Sequence, residues 1–153
     1  MARRKQPVEE YALTATIGRI EQSYYISENR EAERPVGDEA MIEMFGNIVT
    51  ISPAHKQHAG REIEMSILRA RSFADHDPTP TTDKPFMVTV NLRKGGCSLM
   101  AYIPADAFWA LPGMISSGAV THVEARFGKS HHGSAELLSL YFASAHRLTE
   151  ANS

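Results

Sequence analysis

Arg69 and Arg71 are the side chains whose placement points most directly to chemistry. They continue the register of Ile63, Met65 and Ile67, and Phe73 follows on the same side. A regular strand would carry both guanidiniums toward the apolar interior near one end. Paired guanidiniums match phosphate or carboxylate bidentately, so this spacing predicts a pocket for a small anionic ligand. The competing arrangement is a bulge after Ile67 that turns Leu68 and Ala70 inward and both arginines out.

The histidines are the next candidates. Ser52-Pro53-Ala54-His55-Lys56-Gln57-His58 reads as one helical turn, with Ser52 as its cap and Pro53 in its first position. That spacing sets His55 and His58 on one face. His76 stands between two aspartates, and His131-His132 lie near two glycines. Zinc requires three or four ligands in fixed geometry, and nothing in the order of these residues makes them converge. They are read as loop histidines, and no metal or cofactor is assigned. Cys97 follows Gly95-Gly96 with no histidine beside it in sequence, so it reads as a small, partly buried residue. Gly128-Lys129-Ser130 resembles the end of a phosphate loop, but Val123 stands where that motif needs its first glycine. No serine occupies a GxSxG elbow. No catalytic residue is assigned, and an enzyme is disfavoured. Arg30 to Arg34 has the RxxxR form found in PilZ domains. Arg93, however, stands where that family's second motif has serine, and the chain is assigned to no family.

Composition narrows the partners. A net charge of −2 gives no overall attraction to nucleic acid or to an anionic membrane. A nucleic-acid role would rest on Arg3, Arg4 and Lys5 together with Arg93, Lys94 and Lys129, and is disfavoured on that ground. No apolar run is long enough for a spanning helix. Val8-Glu9-Glu10, made polar by its two carboxylates, follows the basic start where a signal peptide would turn apolar, so cytoplasm is the expected address. One cysteine excludes an internal disulfide and four-thiolate zinc sites.

The elements that would position these residues are mostly strands. The chain reads as a flexible basic arm over residues 1–10, one β-domain over 11–148 and a flexible end over 149–153. Apolar residues alternate through Tyr11, Leu13, Ala15 and Ile17. The phase slips at Gly18 and resumes at Ile20 and Tyr24, as one strand bent by a bulge would do. Charged Ser27 to Ala40 reads as a loop, Met41 to Ile51 and Arg61 to Phe73 as strands, and proline-rich Asp75 to Pro85 as a loop. Phe86 to Leu92 and Leu99 to Ile103 form a hairpin around Lys94-Gly95-Gly96. Pro104 to Ser117 changes to helical period and should break at Pro112-Gly113. A second hairpin joins Thr121 to Phe127 with Leu138, Leu140 and Phe142. The whole predicts a mainly β fold, an antiparallel sandwich or partly closed barrel with one short helix between late strands.

The face opposite the core is less polar than solvent requires. Met87, Met100, Tyr102, Val120, Leu137 and Tyr141 all take that phase, and a helix or another subunit must cover them. The expected function is therefore a non-catalytic binding or assembly module, a homo-oligomer or a protein's partner. The alternative is the anionic-ligand pocket at Arg69 and Arg71.

Overall fold

A computed structural model describes residues 9–28, 36–70 and 87–151. The strands are β1 (Tyr11–Thr16), β2 (Arg19–Glu28), β3 (Val36–Ile51), β4 (Glu62–Arg69), β5 (Met87–Arg93), β6 (Gly96–Ile103), β7 (His122–Phe127) and β8 (Ser134–Ala143). Helix α1 (Ala105–Ser116) lies between β6 and β7, α2 (Ala145–Ala151) ends the described chain, and a 3-10 turn (Pro53–His58) joins β3 to β4. Seven strands form a ring in the order β1-β7-β8-β5-β6-β4-β3, closed by β3 on β1, with β2 added to β3. The fold is a mainly β barrel with a short helix between late strands, as expected.

One neighbour pair is parallel, β4 with β6; the other ring pairs are antiparallel. A ring with an odd number of strands cannot alternate direction all the way round, so closure at seven requires such a pair. The β5–β6 hairpin supplies it: the chain leaves β4, runs back along β5, and returns along β6 beside β4. Two seams are short. β1 meets β3, and β5 meets β8, over three registered pairs each. Between them lie a three-stranded and a four-stranded section, which is why the pattern suits both a sandwich and a barrel.

The interior is a continuous apolar cluster that includes Leu13, Ile42, Met44, Ile63, Met65, Ile67, Leu99 and Phe127. Helix α1 plugs one end through Phe108 and Leu111, with Ile115 packed behind them. Spacings of three and four residues put all three on one stripe. That stripe grips the barrel on both sides of Pro112, so the helix runs through Pro112-Gly113 instead of breaking there. The proline removes one intrahelical bond, and the buried anchors outweigh it. Gly118, with φ +81°, lets the chain turn out of α1.

The bent first strand follows one path in two parts. Its register against β3 slips between Thr14 and Ala15 and is regular again from Arg19. The bend depends on Gly46, where a Cβ would stand 1.6 Å from the Thr16 carbonyl oxygen. Before the bend β1 pairs with both β3 and β7; beyond it β2 leaves β7 and stays with β3. The strands also extend into the expected charged loop, since Glu28 lies on β2 and Asp38 and Glu39 lie on β3. The proline-rich segment lies outside the described residues. No helix of the described residues is long and apolar enough to cross a membrane.

The phase of β8 differs from expectation. A bulge opposite Arg126 and Phe127 pairs Phe127 with Leu137, so Leu137 faces the core and Leu138 faces out.

Candidate functional site

The barrel has two chemically distinct ends. The helix end carries α1, the far ends of β2 and β4, and the start of β3. The turn end gathers the 3-10 turn, the 93–96 turn, the 128–133 tip and the start of β1.

At the helix end, β2 and the start of β3 project past the ring, and β4 ends beside them at Arg69. Tyr24 pairs with Ala40, and Ile26 with Asp38, so Ile20, Gln22, Tyr24 and Ile26 share the face that β3 turns toward the core. Arg69 belongs to the same face, but its guanidinium is already occupied. Its Nη2 lies 2.7 Å from Asp38 Oδ2, and its Cζ lies 5.9 Å from the Trp109 ring centre. The Tyr24 hydroxyl donates to the same Asp38 oxygen at 3.0 Å. That bond holds the Tyr24 hydroxyl above the ordinary tyrosine pKa. The Arg69 side chain is 16% exposed, and its charge is answered within the chain. Leu68 and Ala70 are buried as well. Arg71 lies outside the described residues.

Around this ion pair the surface is aromatic and apolar. Tyr24 and Trp109 stand 6.4 Å apart, and Trp109 packs edge-on against buried Phe108 at 4.9 Å. Trp109 is still 48% exposed, Ile26 59% and Tyr25 66%. Tyr25 points to the opposite face of β2 from Tyr24 and Ile26. Among the described strands β2 pairs with β3 only, so its other edge presents an open ladder. From Gln22 to Ser27 that edge contains no charge and no proline, the devices by which exposed edges usually avoid pairing.

At the turn end the fold joins Cys97 to His58 and Arg61, which lie 39 and 36 positions earlier in the chain. Cys97 Sγ lies 3.7 Å from His58 Nδ1, and Arg61 Nη1 lies 3.0 Å from the same nitrogen. Arg61 also donates to the carbonyls of Arg93 at 2.6 Å and Lys94 at 2.9 Å, which ties the 3-10 turn to the β5–β6 turn. Facing a guanidinium, His58 Nδ1 is an acceptor and the imidazole is neutral. Burial lowers the His58 pKa, and the charges of Arg61 and His55 lower it further. Burial also raises the Cys97 pKa, against a smaller opposing pull from Arg61 and a backbone hydrogen bond. Both shifts oppose a thiolate–imidazolium pair, so the geometry is that of a packed polar contact and not an activated nucleophile. Neither local sequence nor spacing announces it, because the two residues are 39 positions apart.

The other candidates separate. His55 stacks edge-on against Tyr11 at 5.1 Å and Phe127 at 5.4 Å, away from the Cys97 contact. The expected shared face with His58 fails because His55 itself has non-helical backbone angles (φ −119°, ψ 20°). Ser52 makes no side-chain cap; its Oγ accepts from Ala12 N at 2.9 Å and pins the turn to β1. His131 and His132 sit at the β7–β8 tip, and His76 lies outside the described residues. Among the described residues no three His, Cys, Asp or Glu side chains are grouped to hold a metal. Of the expected interface residues, Met87, Met100 and Tyr102 are half-buried on the outer wall of β5 and β6. Tyr141 is 45% exposed on β8, while Val120 is buried within this chain at 6%. Compared with known proteins, the chain matches no family model, no curated protein and no solved structure.

Proposed function

We propose that the protein is a non-catalytic assembly module that associates with a second copy of itself along the β2 edge. The observation that carries this reading is exposed apolar surface on both faces of one open strand: Tyr24 and Ile26 on one side, Tyr25 on the other. Packing a partner against one face would leave the other in water. A strand added at the edge reaches both through cross-strand pairs and satisfies the open ladder at once. A two-fold axis perpendicular to the sheet pairs residues of like face. Centred at Tyr24, it sets that ring against its own symmetry mate, Ile26 against Gln22 and Tyr25 against Ser23. Such isologous contacts close at two copies.

Burying Tyr24, Tyr25 and Ile26 from each copy contributes roughly 1.5–3 kcal/mol per side chain before association costs. The remainder corresponds to a dimer in the micromolar range, about −8 kcal/mol. Sedimentation velocity from about 1 to 100 µM is expected to show a monomer–dimer equilibrium. Tyr25→Lys and Ile26→Lys, both at exposed positions, should leave only monomer with unchanged thermal stability. A wild-type monomer throughout, or a dimer indifferent to both substitutions, overturns the reading.

A further inference from the structure

Exposed apolar surface at the helix end is not confined to β2. Of the eight exposed large apolar side chains among the described residues, three lie on β2 and two, Trp109 and Met114, lie on α1. The sequence of α1, ADAFWALPGMIS, contains one charged residue, Asp106 in its first turn. A helix that is apolar on every side belongs in an interior, yet the barrel covers only one side of α1. Phe108, Leu111 and Ile115 take that side. At 3.6 residues per turn the opposite arc runs from Trp109 through Gly113 and Ala110 to Met114, and all four are exposed. Asp106 enters this arc only at its N-terminal end, where the helix dipole favours a carboxylate. Trp109 is held by its edge-on contact with Phe108, and its ring centre stands 6.4 Å from that of Tyr24. The apolar arc of α1 and the open edge of β2 therefore form one continuous surface.

We propose that α1 is the second half of the dimer interface and packs its Trp109–Met114 arc against the same arc of a second copy. The proposal rests on the reading of β2 as the dimer edge, and strand geometry leads from one to the other. From Tyr24 onward β2 pairs with residues of β3 that lie beyond β4, since the outermost β3–β4 pair is Met41 with Leu68. The body of each copy thus lies toward one end of the segment that pairs. Antiparallel pairing there turns the two helix ends toward each other. A two-fold axis perpendicular to the sheet keeps like faces together, so both α1 helices lie on the Tyr24 side of the joined strands. Area argues the same way. Six residues of strand edge, Gln22 to Ser27, are about 20 Å long and about 5 Å wide. A stable complex buries roughly 800 Å² on each partner, and α1 supplies what the edge lacks. Tryptophan near the centre of a contact is also among the side chains that most often dominate such interfaces.

Ala110→Glu tests this by setting like charges against each other across the axis, at an exposed position and with a good helix former. Sedimentation velocity of wild type, Ala110→Glu and Tyr25→Lys from about 1 to 100 µM separates the two contacts. Wild type is expected to dimerise, and each variant to do so at least about tenfold more weakly, with the monomers unfolding at the wild-type temperature. Trp109 is the single tryptophan of the chain, so its emission should move to the red as the wild-type dimer is diluted through dissociation. A dimer of wild-type strength in Ala110→Glu, or Trp109 emission indifferent to that dilution, overturns the inference. Monomeric Tyr25→Lys beside either result leaves the β2 reading standing. A monomeric wild type overturns both.

Discussion

At the scale of single residues, close approach explains more than chemical type. Gly46 sits where β3 passes Thr16, and any side chain there meets backbone that cannot step aside. Gly46→Ala should cost about 3 kcal/mol or more, beyond ordinary overpacking. Gly95→Ala, whose Cβ would meet nothing within 4 Å, should be near neutral. Urea denaturation of both variants makes the comparison. His58 gives a pH dependence of definite sign. Its folded pKa lies below the ordinary value of 6.5, so the unfolded chain takes up the proton first. The stability contributed is full above that value and falls as pH drops through the folded pKa. His55, lowered by burial, acts in the same direction. His58→Gln should flatten the acid side of the stability profile, and equal slopes in wild type and variant would refute this assignment. The contact between His58 and Cys97 was illegible in sequence because a closed ring, not local spacing, brings residues 39 apart together. Arg69 was legible in direction but not in charge. Its alternation placed it on the core face, while its neutralising partner, Asp38, comes from a stretch that reads as loop.

At the scale of elements, periodicity served well where one face is buried. The β5–β6 hairpin is registered Arg93 to Gly96 around the expected turn, and its inward residues Val90, Leu92, Leu99 and Ala101 are all buried. Periodicity failed where a bulge or a tertiary anchor intervened. The slip at Phe127 exchanged Leu137 and Leu138, since one extra residue reverses every side chain beyond it. The propensity of proline alone predicts a break at Pro112, and the packed stripe of Phe108, Leu111 and Ile115 overrides it. If that stripe holds α1 through the proline, Leu111→Ala should lower stability by about 2–5 kcal/mol. Circular dichroism should also show loss of helical signal before the strands melt. Cooperative loss of helix and sheet together with a change under about 1 kcal/mol would contradict this role.

At the scale of the whole molecule, strand order is the feature that alternation cannot convey, because a period of two has no direction and names no neighbour. Closure at seven, the parallel β4–β6 pair and the two short seams appear only in the ring. So does the separation of ends. Cys97 meets His58 and Arg61 at one pole, and Trp109 meets Tyr24 at the other, although each group is scattered in sequence. Among the described strands β2 thus leaves an edge open, and self-association is proposed along it. Hydrogen exchange read at the backbone amides of β2, below and above the dimer dissociation constant, tests it most directly. The expected result is concentration-dependent protection of the β2 amides that face away from β3, with the outer wall at Met100 and Tyr102 unchanged. Identical exchange in β2 at both concentrations, or protection confined to that outer wall, would contradict it.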